Sequence, residues 1–429
     1  MHIVDVVIIT HHEAYSEMII KGMKLIMTSD KVDSNHVQER RWAIVSLASI
    51  PLIMTLGNSM LIPILPLLEN ELQISKLQSS LIITSYSVVA IFLIPVAGFL
   101  SDRYGRKKVM IPALLITGIG GLVAGGAAWV MESPYSIILL GRVLQGVGAS
   151  GAMPIVFPLV GDIFREDEEA SATLGIIETS NTVGKVLSPI LGALLASIIW
   201  FAPFFAIPIF CIISACMIAF LVKNKGKDEE PIEFSKYWEL TKAAFQEHKK
   251  WLLAIFMIGA ILMFILFGFL FYLSSILEEK FNYQGVSKGG LLAIPLLALS
   301  IAAYTTGKII KDHLKRMKWI TFTGIVLTGL SVAVIPFTEK PFYLLAIFLL
   351  CGTGIGMALP CLDALITGSF EKSVRGIMTS IYSAMRFIGV AAGPPAVALL
   401  MKQDIFWMVS IFSVTALAAG ILAYRNINP

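Results

Sequence analysis

The amino-acid sequence predicts an all-α membrane protein with twelve transmembrane helices in two pseudo-symmetric six-helix halves. Three observations carry that expectation. Of the 429 residues, 56% are hydrophobic and only 14% charged, and the mean hydropathy is +0.81, far more apolar than a soluble domain. The apolar residues form continuous blocks rather than the periodic stripe of a surface helix, and block after block reaches the ~20 residues, about 30 Å of helix, that a bilayer core requires. Finally, the second part of the chain repeats the first.

The spans begin near Trp42, Leu77, Val109, Tyr135, Ala170, Phe201, Trp251, Gly285, Trp319, Phe342, Val374 and Ile405. Each is an apolar block closed by polar or proline- and glycine-bearing punctuation. The first follows Arg40 and Arg41; GFLSDRYGRKKV separates the second from the third, ESPY the third from the fourth, GDIFREDEEASA the fourth from the fifth and FAP the fifth from the sixth. In the second half, the cations from Lys311 to Lys318 separate spans 8 and 9, TEKP separates 9 and 10, and Lys372 and Arg375 open span 11. The long connection 223–250 contains KNKGKDEEPIEF and the amphipathic WELTKAAFQEHKK, a polar linker with a short surface helix. The organisation expected is a cytoplasmic tail 1–40, a bundle 41–222, the linker 223–250 and a bundle 251–429.

Lysine and arginine set the orientation. Arg103/Arg106/Lys107/Lys108, Lys223/Lys225/Lys227, Lys311/Lys315/Arg316/Lys318 and Lys372/Arg375 fall on alternate connections, and the intervening ones carry almost no excess positive charge. The positive-inside rule places these clusters and both termini in the cytoplasm of a cell whose cytoplasmic membrane the chain crosses many times. The tail before Arg40 lacks a basic region and a cleavage site, so it does not read as a signal peptide. Its His11, His12 and Glu13 read as tail rather than metal site, and Met27 offers an alternative start. Cys211, Cys216, Cys351 and Cys361 lie inside apolar blocks without CxxC spacing, which argues against zinc and disulfides. A net charge of +4 gives no reason to expect a nucleic-acid partner; the partners expected are the bilayer, a small-molecule substrate and protons, with the chain a monomer needing no cofactor or metal.

The repeat is specific. QGVGASGAMPIVFPLVGDIF (Gln145–Phe164) aligns with CGTGIGMALPCLDALITGSF (Cys351–Phe370), matching Gly146, Gly148, Ala152, Pro154 and Phe164 to Gly352, Gly354, Ala358, Pro360 and Phe370. GKVLSPILGALL (Gly184–Leu195) aligns with GVAAGPPAVALL (Gly389–Leu400), and GKIIKDHLKR (Gly307–Arg316) is a faded copy of the 98–109 turn. Two six-helix halves of parallel orientation are typical of secondary transporters with a site between the halves at mid-membrane.

At these residues the chain resembles a known family. GFLSDRYGRKKV is similar, position for position, to the motif between spans 2 and 3 of the major facilitator superfamily. LGRVLQGVGASG (Leu140–Gly151) resembles the span-4 motif of its drug:proton antiporters, GIIETSNTVGKVLSPILG (Gly175–Gly192) their span-5 motif, and LGNSMLIPILPLL (Leu56–Leu68) their span-1 pattern. The resemblance implies a latch at Gly98, Asp102, Arg103, Gly105 and Arg106, with Asp102 meeting the start of span 11 near Val374 to Ile377. It also implies a gate in which Gly175, Gly184, Pro189 and Gly192 of span 5 pack on span 8. Four departures stand out: Ser188 and Ala193 replace usual glycines, Glu169 stands where arginine is common, and span 1 carries Asn58 where many multidrug members carry an acid.

Ionisable residues inside spans are costly and by default mark pathways or proton relays. Arg142, Glu178, Lys185, Asp363 and Arg386 are such residues, and no histidine lies within a span. Glu178 is the first candidate proton carrier and Asp363 the second; Arg142 is either a coupling group or structural glue, and Lys185 and Arg386 are cavity charges. Glu178 and Lys185, seven residues apart, share a helix face but lie about 10 Å apart in rise, too far to pair directly. There is no P-loop, nucleophile elbow or aqueous metal spacing, so the chain is expected not to be an enzyme. The function expected is proton-coupled efflux of amphipathic small molecules by alternating access. The alternative is a dedicated exporter of an endogenous, anionic metabolite or siderophore, which three embedded cations against two acids suit at least as well. An uptake symporter ranks third, and a transporter-like receptor or membrane enzyme represents a different class.

Overall fold

A computed structural model describes residues 38, 40–164, 167–222, 234–310, 313–338, 340–370 and 372–427. The tail histidines, Lys223, Lys225, Lys227 and Lys311 lie outside the described residues, as do the side chains of Glu166, Asp167, Glu168, Glu169 and Lys372.

The described residues form twelve membrane-length helices: α1 (Arg40–Leu72), α2 (Lys76–Tyr104), α3 (Arg106–Val130), α4 (Tyr135–Ile163), α5 (Thr173–Ile198), α6 (Ala202–Leu221), α7 (Lys249–Glu279), α8 (Gly285–Ile310), α9 (Leu314–Phe337), α10 (Pro341–Gly368), α11 (Val374–Leu400) and α12 (Ile405–Asn426). A linker helix, Phe234–Glu247, lies between α6 and α7. Local chemistry sets the ends. Ser75 caps α2 in a reciprocal box with Gln78, satisfying amide donors that a helix start leaves free. Asp404 caps α12 by accepting from the Phe406 amide at 3.0 Å. Gly105 ends α2 and opens α3 at φ +101°, a conformation that side chains resist, so this turn requires glycine. Lys107 then donates to the Ala219 and Val222 carbonyls, both at 2.7 Å, closing carbonyls at the end of α6.

The repeat in the sequence is a repeat in space. Helix α2 packs on α4, α3 on α4 and α3 on α6; in the second half α8 packs on α10, α9 on α10 and α9 on α12. The matched glycines are the points of closest approach. A Cβ on Gly146 would strike the Tyr86 carbonyl of α2, and one on Gly352 the Pro295 carbonyl of α8. One on Gly148 would strike Ala113 and Thr117 of α3, and one on Gly354 would strike Gly324 and Thr328 of α9. Small residues let backbones of membrane helices meet in this way. The halves join through two related contacts, α2 on α11 and α5 on α8.

These glycines yield a paired prediction. Gly148→Val and Gly354→Val should each lower the unfolding temperature of the detergent-purified protein, by a destabilisation of about 1–3 kcal/mol from overpacking. Gly126→Val, where a Cβ meets open space, should leave it nearly unchanged. Fluorescence-detected thermal unfolding reads all three.

Candidate functional site

The interface between the halves brings four of the five embedded charges into one electrostatic group. Glu178 and Lys185 enter from α5, Asp363 from α10 and Arg386 from α11, and each acts on the others. Their depths form two layers. Glu178 and Asp363 lie five residues inside the Thr173 and Gly368 ends of their helices, about 7 Å of rise. Lys185 and Arg386 lie twelve residues inside Thr173 and Val374, about 18 Å deep. Acids occupy the layer nearer the arginine- and lysine-rich face, and cations sit near mid-membrane.

Arg386 donates from Nη1 to Asp363 Oδ1 at 3.1 Å, and the two side chains keep 23% and 38% of their surface accessible. The pair is thus neither fully buried nor freely exposed where α10 meets α11. Glu178 is exposed while facing the other charges. Its Oε1 accepts from Asn181 Nδ2 at 3.1 Å, and Asn181 Oδ1 accepts from Thr55 Oγ1 at 2.6 Å, tying the carboxylate to α1. Lys185 is half-buried and, among the described residues, makes no ion pair. Its ammonium is therefore a donor awaiting an acceptor. The sequence reading missed Thr55, Asn181 and Tyr382. Tyr382 precedes Arg386 by one turn, 2% exposed, with the guanidinium 5.6 Å from its ring centroid and a hydroxyl that acts on both Asp363 and Arg386. Phe256 of α7 stacks on that ring at 6.3 Å. For Asn181 and Tyr382 the available signal was a place one turn from an embedded charge; Thr55 has no charge within a turn and offered none.

Arg142 stands apart from the four. It is fully buried, donating Nε to the Ile82 carbonyl at 2.9 Å, Nη1 to the Gly57 carbonyl at 3.3 Å and to Gln145 Oε1, and Nη2 to Asn58 Oδ1 at 3.0 Å. Its Cζ also lies 4.7 Å from the Tyr86 ring centroid. The guanidinium thus knits α1, α2 and α4 through neutral acceptors, a use its planar fork suits. Asn58, the departure from the span-1 pattern, is one of those acceptors.

The 98–109 turn is assembled around Arg106, which pairs with Asp102 at 2.5 Å and with Asp162 of α4 at 3.2 Å and donates to Ser101 Oγ at 2.8 Å. Asp102, Arg106 and Gly98 line a small crevice with Pro158 of α4 and Gly376 and Ser380 of α11, so the start of α11 borders this turn. Arg103 is exposed and leans on Tyr104 at 5.7 Å from the ring centroid. In α5, a Cβ on Gly184 would meet the Leu52 carbonyl at 3.1 Å and one on Gly192 would strike the Met60 carbonyl, so both glycines face α1. Pro189 faces α8, where Gly289 abuts its carbonyl; Gly175 borders open space.

With the geometry in hand, the chain can be compared with known proteins. The sequence profile of the Major Facilitator Superfamily matches residues 47–394 and 318–427. The bacillibactin exporter of Bacillus subtilis (strain 168) is 54% identical over 372 residues, covering 86% of this chain and 92% of the relative. Multidrug resistance protein 2 of the same organism is 24% identical over 378 residues, covering 86% and 92%. The crystal structure of the human organic anion transporter MFSD10 (TETRAN) superimposes with a TM-score of 0.71 at 18% identity, covering 89% of this chain and 99% of that one; it establishes the shared fold.

The arrangement around Arg142 gives a stability prediction. Asn58→Leu removes one neutral acceptor and leaves a buried charged donor unsatisfied, which costs about 1–3 kcal/mol or more. The unfolding temperature should fall, and Asn58→Gln, which keeps an amide oxygen, should recover part of the loss.

Proposed function

This chain belongs to the Major Facilitator Superfamily, a family of transporters rather than enzymes, and from that premise we propose that it exports a small, oxygen-rich metabolite of the siderophore type. The single observation that carries the proposal is the 54% identity to a bacillibactin exporter along 92% of its length. Multidrug proteins match at 24% and 26%, so the expectation of a broad drug exporter yields to the dedicated-exporter alternative. The orientation follows the positive-inside reading, with the cytoplasmic membrane as the location and both termini in the cytoplasm.

The charge group supports this cargo chemistry. Two carboxylates and two cations form a set that is neutral as a whole, poorly suited to capturing a net cation. A hydroxyl-bearing cargo satisfies both layers, donating to Glu178 or Asp363 and presenting its oxygens to Lys185 and Arg386. The Arg386–Asp363 pair keeps part of its surface accessible, so a cargo oxygen can approach the guanidinium and exchange with the carboxylate. Lys185 reaches in from the first half and Arg386 from the second, so a cargo held by both favours the closed intermediate between the two open states. The crevice at Asp102 and Gly376 is where the 98–109 turn would release α11 as the inner face opens.

Proton exchange follows from the same geometry. A hydroxyl that donates to Glu178 stabilises its ionised form, so cargo and proton compete for that carboxylate, as an exchanger requires. An already ionised cargo has the opposite effect: it draws Lys185 and Arg386 away from the acids and favours proton uptake.

The test uses purified protein in detergent and in vesicles, with bacillibactin, catechol-type compounds and cationic dyes as probes. Lys185→Gln and Arg386→Gln should each weaken bacillibactin binding about tenfold or more, the worth of one charge-assisted hydrogen bond. Glu178→Gln should retain binding and lose the proton release that accompanies it. Binding of the cationic dyes in preference to bacillibactin would overturn the proposal.

A further inference from the structure

The cytoplasmic turn and the central charges leave one charged group unused, at the opposite face of the membrane. It contains Glu69 at the end of α1, Lys76 at the start of α2, Glu278 and Glu279 at the end of α7 and Lys288 near the start of α8. These five act on one another. They lie on the connections that lack the arginine and lysine clusters. Sequence reading passed over them because every one sits at a helix end, where charge is cheap and ordinary.

Their arrangement repeats between the halves. In each hairpin the last turn of the odd-numbered helix carries a glutamate, Glu69 or Glu278. Four residues later the chain takes a left-handed conformation, at Gln73 with φ 52° and at Asn282 with φ 57°. Ten residues after the glutamate comes its partner: Ser79 donates to Glu69 at 2.5 Å, and Lys288 pairs with Glu278. The two hairpins are therefore the same device, one built with a hydroxyl and the other with an ammonium. Side-chain exposure is 3% for Lys288 and 15% for Glu278, so this pair is a sealed internal brace of the second half.

The remaining pair differs in both respects. Lys76 belongs to the first half and Glu279 to the second; they meet at 2.7 Å with 26% and 46% of their side chains exposed. Other bonds between the halves lie on the same side of mid-membrane: Ser274 of α7 donates to the Ile62 carbonyl of α1 at 2.9 Å, and Thr84 of α2 to the Ala391 carbonyl of α11 at 2.7 Å. The two halves are thus bonded together at this face, and Lys76–Glu279 is the outermost of these bonds and, among the described residues, the only ion pair between the halves.

We propose that Lys76 and Glu279 form the breakable strut of an outer gate, mounted on two repeat-related braces, Glu69–Ser79 and Glu278–Lys288, that stay intact through the cycle. An exposed pair is weak enough to open in every turnover, whereas a sealed one is not. The braces hold each hairpin rigid, so that parting the strut moves whole helix ends rather than fraying them.

Hydrogen–deuterium exchange on the full-length protein in detergent, without cargo, tests this independently of what is exported. Lys76→Glu and Glu279→Lys should each speed exchange roughly two- to fivefold at the outer ends of α1, α2, α7 and α8, the range expected for loss of one exposed pair. The double variant, with the charges exchanged, should return to the wild-type rate. The milder Lys76→Gln and Glu279→Gln replace the reversals if those fail to fold. Lys288→Gln should instead reduce the yield of folded protein. Unchanged exchange in the single variants, or a double variant no better protected than either, overturns the strut. Outer-end exchange in folded Lys288→Gln matching that of the strut variants overturns the division into strut and brace.

Discussion

Arg142 is the constraint around which the first half is organised. A guanidinium sealed from water inside a membrane span persists only if its donors are met, and here they are met by two backbone carbonyls, two side-chain amides and an aromatic face drawn from three helices. Those helices cannot shift against each other without stranding a charge, so α1, α2 and α4 move as a body. The charge is also spent: facing neutral acceptors inside its own half, Arg142 has nothing left to offer the cavity. The chemistry of transport therefore falls to groups whose partners are solvated or missing.

The second half solves the same packing problem differently. At the position that the repeat aligns with Arg142 stands Phe348, edge-on to Phe269 at 5.4 Å and tilted against Tyr272 at 6.4 Å. One half is bound by hydrogen bonds to a cation and the other by aromatic packing, on the same helix scaffold. That difference matches the division of labour at the interface. The first half contributes Lys185 without an ion partner and Glu178 held by Asn181, and the second contributes a self-neutralised pair, Arg386 with Asp363.

Exposure sorts the charge pairs by what they can do. Glu278–Lys288 is mostly buried, and breaking a buried pair costs about 3–5 kcal/mol. Lys76–Glu279 is partly exposed at the outer face, and surface pairs of that kind are worth about 0–1 kcal/mol. A transporter that must reverse its contacts in every cycle needs the second kind wherever partners change and the first kind wherever the moving bodies must stay rigid. On the outer face the two kinds are divided in this way, with the exposed pair between the halves and the buried one inside a half.

Much of this was legible in the chain. The twelve spans, their alternating charged connections and the repeat are properties of composition and order. Depth along a helix is equally one-dimensional: at 1.5 Å per residue, counting alone places Glu178 and Asp363 in one layer and Lys185 and Arg386 in another. What counting cannot supply is azimuth and neighbour, because a helix shows every face in sequence and hides all but one in the fold. So the choice between coupling group and structural glue stayed open for Arg142 until packing sealed it within α1, α2 and α4 and brought the other four into one group. The span-5 glycines, read as a surface for α8, turn two of their number toward α1, with Pro189 left to meet Gly289. Lys76 and Glu279 are 203 residues apart; each alone is an unremarked polar end, and only the meeting of the two halves makes them a pair.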